Sequence, residues 1–373
     1  MKIETIAVHS GRAVDAATSA VTPPIHLSTT FEREADGQYP KGYNYTRSNN
    51  PNRESLEKCL VDLEGGETAA AFSSGSAASM SIFQSLSPGD HIVACDDIYH
   101  GTRHLIKLFE AWGIKSSFVD MTNLKNFNSE LKKETKLVWI ETPSNPLLKI
   151  INLKKISEAS HQISAIVVCD NTWATPVLQS PFNFGIDLVM HATTKYIGGH
   201  SDILGGAVVS KKNDELFQKI KEIQKSGGAV PSPFECWLTL RGVQTLPLRI
   251  RAQSESAMQV AIFLNSHPKV SIVHYPGLLT HPGHSLASEQ MKFFGAMISF
   301  EVTGGKDEAM KLAANVKLFT RATSLGGPES LIEHRASIEG PESKTPQSLL
   351  RISIGLEHPD DLIEDLKQAL TYL

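Results

Sequence analysis

A lysine shortly after an apolar run is the residue of this chain best suited to covalent chemistry. Residues 186–190 have the length and composition of a buried strand, and Thr194, Lys195 and two glycines follow. An amine at a strand end can form a Schiff base when it is desolvated and partly neutral. The Thr194 hydroxyl can donate to a phosphate, and glycines let the backbone pass close to a flat ring. This pattern indicates pyridoxal 5′-phosphate (PLP), although a threonine–lysine pair alone is more often solvated.

A second apolar run, residues 166–169, ends at Asp170. An aspartate at the carboxyl end of a strand faces the crevice where open α/β sheets bind ligands. PLP chemistry requires a carboxylate on the pyridine nitrogen to keep it protonated. Asp170 precedes Lys195 by enough residues for one strand-to-strand crossover. The alternative is an aspartate that caps a turn or a helix, which is the commoner role of this residue type.

A third apolar run, residues 68–72, leads into small residues that could bind a phosphate. Ser73, Ser74, Gly75 and Ser76 precede a helical pattern that starts at Ala77. A turn of small residues at a helix N-terminus offers free N–H groups and the positive end of the helix dipole to an anion. The alternative is an ordinary serine N-cap.

Longer motifs carry a resemblance to a known family over nearly the whole chain. The chain resembles the Cys/Met-metabolism (trans-sulfuration) family of fold-type I PLP enzymes, which includes cystathionine β-lyase, γ-lyase and γ-synthase and methionine γ-lyase. The motifs are YNYTRSNNP (43–51), ETPSNP (141–146), DNTWATP (170–176), TKYIGGHSD (194–202), YPGL (275–278), SLGG (324–327) and LRISIGLE (350–357). Their number and their order make the resemblance specific, although none of them is decisive alone.

The resemblance implies which residues hold the cofactor. Lys195 would bind PLP covalently and move protons at the substrate's α and β carbons. Asp170 would pair with the pyridine nitrogen, and Tyr99 would stack on the ring and relay a proton near the leaving group. Asn145 would bond to the 3′-oxygen. The phosphate would lie against Ser74, Gly75, Ser76 and Thr194, and Tyr45 and Arg47 would reach it from the neighbouring subunit.

The resemblance also implies how the substrate is held. Arg351, helped by Ser324, would bind the α-carboxylate bidentately, and Asn145 and Tyr45 would lie beside the substrate. No metal is expected, since the two histidines at 281 and 284 lie in a Pro-Gly loop without further ligands nearby. A site shared between subunits implies a homo-oligomer, and we expect a tetramer built as a dimer of dimers.

Some positions depart from the family pattern around the cofactor. Many relatives have serine where this chain has Ala192, so one phosphate hydrogen bond is lost unless Thr193 supplies it. Methionine γ-lyases have cysteine at the position of Gly101, which makes methionine a less favoured substrate.

Other departures concern the distal end of the substrate. His104 stands where γ-enzymes commonly have an arginine, which is displaced here to Arg103, and Thr323 stands where they have a glutamate. Arg335 replaces a frequent proline, and it is either a contact to a distal carboxylate or a surface charge.

Composition excludes several classes of function. The 373 residues are 41% hydrophobic and 20% charged, with a net charge of −4, which argues against nucleic acid or an anionic membrane as a partner. Four scattered cysteines indicate reduced thiols, and neither a signal peptide nor a membrane-spanning run is evident. We therefore expect a cytoplasmic protein, and the resemblance implies an enzyme whose partner is a small-molecule sulfur amino acid.

The order of the elements predicts an α/β fold with a mostly parallel central sheet, which the resemblance identifies as fold-type I. We expect an N-terminal arm that packs on another subunit (1–50), a large PLP-binding domain (51–244) and a smaller C-terminal α/β domain (245–373). Candidate strands of the large domain are 69–72, 91–95, 116–120, 137–140, 166–169, 187–190 and 206–209. Residues 296–302 and 350–354 are further strand candidates, and 357–370 is predicted as the closing helix.

These features favour a PLP-dependent carbon–sulfur lyase. The expected reaction is β-elimination of cystathionine to homocysteine, pyruvate and ammonia. A cystathionine γ-synthase or γ-lyase is the alternative, because the chain contains no clean discriminator between β and γ chemistry. A non-catalytic binding protein with the same fold is a third alternative, which the retention of Lys195, Asp170, Tyr99 and Arg351 disfavours.

Overall fold

A computed structural model describes residues 1–340 and 343–373. Within these residues the chain forms one seven-stranded and one five-stranded sheet. The strands of the larger sheet are β1 (Thr68–Phe72), β2 (His91–Cys95), β3 (Lys115–Val119), β4 (Thr135–Glu141), β5 (Ile166–Asp170), β6 (Leu188–His191) and β7 (Gly206–Ser210). Each predicted strand of the large domain is present, with ends that differ by one or two residues in most cases.

The larger sheet is mostly parallel, as predicted. Its strand order is β1-β7-β6-β5-β4-β2-β3, and only β7 runs antiparallel to its neighbours. Strands such as β2 and β7 are buried along their whole length, because helices cover both faces of the sheet. The α/β fold of the fold-type I enzymes is therefore confirmed.

The helices of this part alternate with the strands. They are α1 (Ile3–His9), α2 (Pro51–Glu64), α3 (Gly75–Phe83), α4 (His100–Glu110), α5 (Leu124–Glu130), α6 (Leu153–His161), α7 (Thr175–Leu178), α8 (Glu215–Gly227) and α9 (Pro233–Val243). α3 begins two residues earlier than predicted, because Ser74 is its N-cap and accepts the Ala77 N–H at 3.0 Å.

The five-stranded sheet lies in the C-terminal part of the chain. Its strands are β8 (Val270–His274), β9 (Met297–Val302), β10 (Thr320–Arg321), β11 (Leu331–His334) and β12 (Leu349–Ser353), in the order β10-β11-β12-β9-β8. Its helices are α10 (Leu246–Ser266), α11 (His284–Gln290), α12 (Lys306–Asn315), α13 (Arg335–Glu339) and α14 (Pro359–Leu370). The long α10 links the two parts, and α14 is the expected closing helix.

The N-terminal segment has little structure of its own. Apart from α1, residues 1–50 form only an isolated bridge between Thr30 and Tyr45. Val14, Val21 and Leu27 are 60–77% exposed, and hydrogen bonds such as Trp237 Nε1–H to the Pro23 carbonyl (2.9 Å) tie the segment to the rest of the chain. The three-part division of the chain and the packing of the arm on another subunit stay predictions.

Two further findings concern the apolar character of the helices and the state of the cysteines. Among the helices of residues 1–340 and 343–373, none has both the length and the apolar character needed to cross a membrane. All four cysteines are buried and unpaired with one another.

Candidate active site

One cavity between the two sheets collects most of the predicted site residues. The carboxyl ends of β1, β4, β5 and β6 open into it, as expected for ligand sites of open α/β sheets. The predicted site residues that line it are Ser74, Gly75, Ser76, Tyr99, Asn145, Asp170, Thr194, Lys195, Ser324 and Arg351. Tyr45 and Arg47 do not line the cavity of their own chain. Tyr45 is 45% exposed, and Arg47 Nη1 donates to the Lys225 carbonyl at 2.8 Å.

The turn between β1 and α3 lies at one end of the cavity. Its backbone is packed so tightly that a Cβ on Gly206 would come within 2.2 Å of the Ser74 carbonyl oxygen. A Cβ on Gly75 would lie 2.8 Å from that of Ala192. Because Gly75 and Gly206 carry no side chain, the backbone of the turn stays uncovered, and the N–H groups of Gly75 and Ser76 at the start of α3 are left for an anion.

Asp170 ends β5 with its side chain 8% exposed, and it accepts the Thr172 N–H at 3.0 Å. Glu141 ends the neighbouring strand β4 in register with Asp170 and is 4% exposed. Glu141 Oε2 accepts the Tyr99 N–H at 2.8 Å. Burial raises the pKa of both carboxyl groups, and the charge of Asp170 raises the pKa of Glu141 further, well above its ordinary value. The pKa of Glu141 is thus the more strongly raised of the two, which favours the proton on Glu141 and the negative charge on Asp170.

Lys195 lies beyond the end of β6, partly buried in the cavity. Its Nζ donates to Ser324 Oγ at 2.5 Å. No carboxylate in the described part of the chain forms an ion pair with this amine. Burial lowers the pKa of Lys195 to about 8, and the positive charge of Arg351 acts in the same direction. About a tenth of the amine is thus neutral at pH 7, far more than for a solvated lysine, and nucleophilic chemistry requires this neutral form.

The five-stranded sheet supplies the opposite wall. A Cβ on Gly326 would lie 2.7 Å from the Tyr196 amide nitrogen, so this glycine lets the loop 324–327 pack directly on the lysine segment. Ser324, in that loop, has a positive φ of 89°, a strained conformation typical of functional sites. Arg351 in β12 is 4% exposed, and its Nη1 donates to Asn145 Oδ1 at 2.9 Å.

Tyr99 precedes α4 as its N-cap residue and is 39% exposed, with its ring at the edge of the cavity. A Cβ on Gly101 would lie 2.5 Å from Tyr99 Cε1. The absence of a side chain at Gly101 therefore gives the Tyr99 ring its room over the first turn of α4. A cysteine at this position would displace the ring.

The departures from the family pattern fall into two groups. Ala192 and Thr323 line the cavity, and Thr193 is buried without lining it, so Thr193 is not positioned to supply the lost hydrogen bond. Arg103 and His104 point instead to a second cavity on the other face of α4. In that position they do not face the cavity of Lys195.

Arg335 corrects one of the two interpretations made from the sequence. It is 1% exposed and lines the cavity, so the surface-charge alternative is wrong. Its guanidinium forms ion pairs with Glu333 and Glu339, both at 3.1 Å. Paired burial of this kind is the usual way in which proteins accommodate a charge in the interior.

Sequence reasoning missed several buried groups of the site. Glu141 follows an apolar run just as Asp170 does, so the same strand-end rule would have found it. Glu333 and the buried pair Glu64–His191 gave no comparable signal. Their partners come from distant parts of the chain or from neighbouring strands.

The residues of the cavity fit three parts of PLP, namely its phosphate, its ring nitrogen and its aldehyde. The open N-terminus of α3 and the Thr194 hydroxyl suit a phosphate, the anionic Asp170 suits a protonated pyridine nitrogen, and the desolvated Lys195 suits an aldehyde. Fold and cavity together define a PLP-dependent enzyme of fold-type I.

Comparisons with known proteins give the particular family. The model of the Cys/Met metabolism PLP-dependent enzymes matches residues 4–371, and the chain belongs to that family. It is 46% identical to cystathionine gamma-synthase of Mycobacterium leprae over 99% of this chain and 96% of that protein. It is 43% identical to cystathionine beta-lyase of Coxiella burnetii over 99% of this chain and 97% of that one. The crystal structure of metB from Corynebacterium glutamicum superposes with a TM-score of 0.97 at 42% identity, covering 100% of this chain and 98% of that chain.

The protonation of Glu141 predicts how a neutral replacement acts on stability. Above the ordinary pKa of 4.5 the folded apoprotein keeps a proton on Glu141 that the unfolded chain releases, so stability falls as pH rises through this range. Glu141→Gln has no such proton and still accepts the Tyr99 N–H. We expect it to raise the thermal unfolding midpoint at pH 8, with the gain shrinking toward pH 5.

Glu308 is the matched control with the opposite sign. Its carboxylate accepts the Gly305 N–H at 2.8 Å, which lowers its pKa, so its contribution to stability is present above 4.5 and lost in acid. Glu308→Gln is expected to lower the midpoint at pH 8. A loss in Glu141→Gln that grows toward pH 8 would contradict a protonated Glu141.

Proposed function

We propose that this enzyme cleaves the Cβ–S bond of cystathionine by β-elimination, giving homocysteine, pyruvate and ammonia. The observation that carries this proposal is the charge balance of the cavity. Arg351 lies beside Ser324 and has one carboxylate partner, Glu333, which it shares with Arg335, whereas Arg335 is paired with two carboxylates, Glu333 and Glu339. The cavity thus offers a cation for one carboxylate. The distal amino-acid head of cystathionine carries no net charge, while the distal carboxylate of a succinyl ester would need a second cation.

The residues that hold the cofactor are those that line the cavity on the side of the larger sheet. Lys195 holds it covalently, Asp170 pairs with its ring nitrogen, and Asn145 bonds to its 3′-oxygen. Its phosphate is bound by Ser74, Gly75, Ser76 and Thr194. When bound, PLP accepts electron density from the α-carbon of the substrate.

The chain's own groups then bind the substrate and move its protons. Arg351, with Ser324 beside it, binds the α-carboxylate through a forked pair of hydrogen bonds. Lys195 removes the Cα proton, and its lowered pKa suits this task near neutral pH. The Cβ–S bond breaks with its electron pair going to sulfur, which leaves as homocysteine after protonation. We assign that proton transfer to Tyr99. Water then releases the remaining carbon unit as pyruvate and ammonia.

γ-Replacement on an activated homoserine is the second candidate. Its support is the identity of 46% to a protein named cystathionine gamma-synthase, against 43% to one named cystathionine beta-lyase. Lys195 can also remove a proton at Cβ, so its chemistry is compatible with both reactions. Thr323 and Arg335 weigh against an activated homoserine with a distal carboxylate.

We further propose that Tyr45 and Arg47 complete the phosphate site of a second subunit. Both residues lie outside their own cavity, on a segment that exposes apolar side chains such as Val21 and Leu27. A homo-oligomer, built as a dimer of dimers, would cover these side chains. Four buried, unpaired thiols accord with a reducing compartment, and we propose the cytoplasm.

Product analysis tests the reaction. We expect the holoenzyme to convert cystathionine to pyruvate and a new thiol, because β-elimination leaves a three-carbon keto acid. Chromatography of the keto acids separates pyruvate from 2-oxobutyrate, and Lys195→Ala is the inactive control. 2-Oxobutyrate as the main product, or faster cystathionine synthesis from O-succinylhomoserine and cysteine, would favour γ chemistry instead.

Subunit complementation tests the shared site. Arg47→Ala and Lys195→Ala chains are each expected to be inactive or strongly impaired. A hybrid dimer has one site that combines the intact Lys195 of one chain with the intact Arg47 of the other. Random exchange should therefore restore about a quarter of the wild-type activity, as two-fold symmetry requires.

The control pair is Lys195→Ala with Asp170→Ala. Both residues belong to the same chain's cavity, so each site of this hybrid keeps one defect and no activity should return. Failure of the Arg47→Ala and Lys195→Ala pair to recover, after subunit exchange is verified, would mean that the arm serves its own subunit.

A further inference from the structure

Four charged side chains form an alternating row from the cavity wall into the interior. Arg351 forms an ion pair with Glu333, its partner in register on the neighbouring strand β11. Glu333 Oε1 also accepts from Arg335 Nη1 at 3.1 Å, and Arg335 pairs in turn with Glu339. The exposed fractions of the four side chains range from 1% to 11%. The row is neutral as a whole, with two cations and two anions.

Every nitrogen of the Arg335 guanidinium has a partner in this row or beside it. A guanidinium has five N–H groups. Nε donates to Glu339 at 3.2 Å, Nη1 donates to Glu333, and Nη2 donates to His100 Nδ1 at 3.1 Å and lies 3.1 Å from Glu339 Oε1 in an ion pair. Each of the three nitrogens therefore already has a protein acceptor, and a bidentate grip on a further carboxylate would compete with these partners. Arg335 is therefore poorly suited to bind a distal carboxylate of the substrate.

Glu333 is the point at which Arg335 acts on the site. Its Oε1 is shared by the two guanidiniums, and its Oε2 is buried without a partner in the described part of the chain. Because Glu333 Oε1 accepts from both Arg335 and Arg351, Glu333 does not turn both of its oxygens toward Arg351. Without Arg335, the carboxylate would be free to pair bidentately with Arg351 and to compete with the substrate for it.

We propose that Arg335 is a positioning residue that keeps Arg351 available to the substrate α-carboxylate by sharing Glu333 with it. This inference rests on the role of Arg351 in the proposed function. Glu339 and His100 hold Arg335 in place, and Ser343 and Thr345 hold Glu339 through hydrogen bonds of 2.6 Å to its Oε2. Burial and the charge of Arg335 lower the pKa of His100, which keeps its Nδ1 free to accept.

The test uses the holoenzyme, with alanine as a ligand and with cysteine and cystathionine as substrates. We expect Arg335→Met to weaken alanine binding, measured by calorimetry, by about tenfold, the size of a weakened charge-assisted hydrogen bond. KM should rise by the same factor for cysteine and for cystathionine with little change in kcat, because the lost interaction concerns the carboxylate that they share. Arg335→Lys should recover part of the affinity.

A double variant separates positioning from a merely structural role. Glu333→Gln removes the competing carboxylate, so Arg335→Met combined with Glu333→Gln should bind alanine more tightly than Arg335→Met alone. The cofactor absorbance and the unfolding midpoint of each variant report whether the fold is retained. No recovery in the double variant would overturn the proposal.

Three further outcomes would also overturn it. A loss confined to cystathionine would make Arg335 a distal contact. Unchanged alanine affinity in Arg335→Met would remove its influence on Arg351, while the proposed function would stand. Unchanged affinity in Arg351→Met would be a different failure, since it would refute the carboxylate site of the proposed function and this inference with it.

Discussion

The desolvation of one amine is the constraint on which the site depends. An amine reacts as a nucleophile in its neutral form, and burial without a carboxylate partner lowers the pKa of Lys195 to about 8. The nearby carboxylates are all committed elsewhere. Glu333 is shared by two guanidiniums, Asp170 accepts the Thr172 N–H, and the raised pKa of Glu141 favours its neutral form. The hydrogen-bond partner left to the amine is a hydroxyl, that of Ser324.

The architecture explains how these groups come together. Strands β4, β5 and β6 end at the same edge of the larger sheet and deliver Glu141, Asp170 and Lys195. The smaller sheet brings Arg351 and the loop with Ser324 to the opposite side. Glycines such as Gly326 let the two backbones meet without intervening side chains. The cavity therefore needs both sheets, and neither would form it alone.

Sequence patterns predicted the larger sheet well, because its strands are short apolar runs that end at turn residues or charged groups. Asp170, Lys195 and the serine turn could be found by the same strand-end logic, and the roles of Asn145, Ser324 and Arg351 came from the resemblance. The buried row from Arg351 to Glu339 could not be found in this way. An ion pair depends on which segments face each other, and Arg335 looks the same in sequence whether it is exposed or buried. The contribution of Tyr45 and Arg47 to a second subunit stays a prediction.

The pKa of Lys195 in the apoprotein is the most direct test of this account. Competitive acetylation over a series of pH values, followed by mass spectrometry of the peptides, gives the reactivity of Lys195 relative to the exposed Lys58 in the same digest. We expect Lys195 to titrate near pH 8, so that about a tenth of the amine is neutral at pH 7. A titration near the ordinary value of 10.5 would contradict it. The amine would then be paired or solvated, and the arrangement of charges around it would need another explanation.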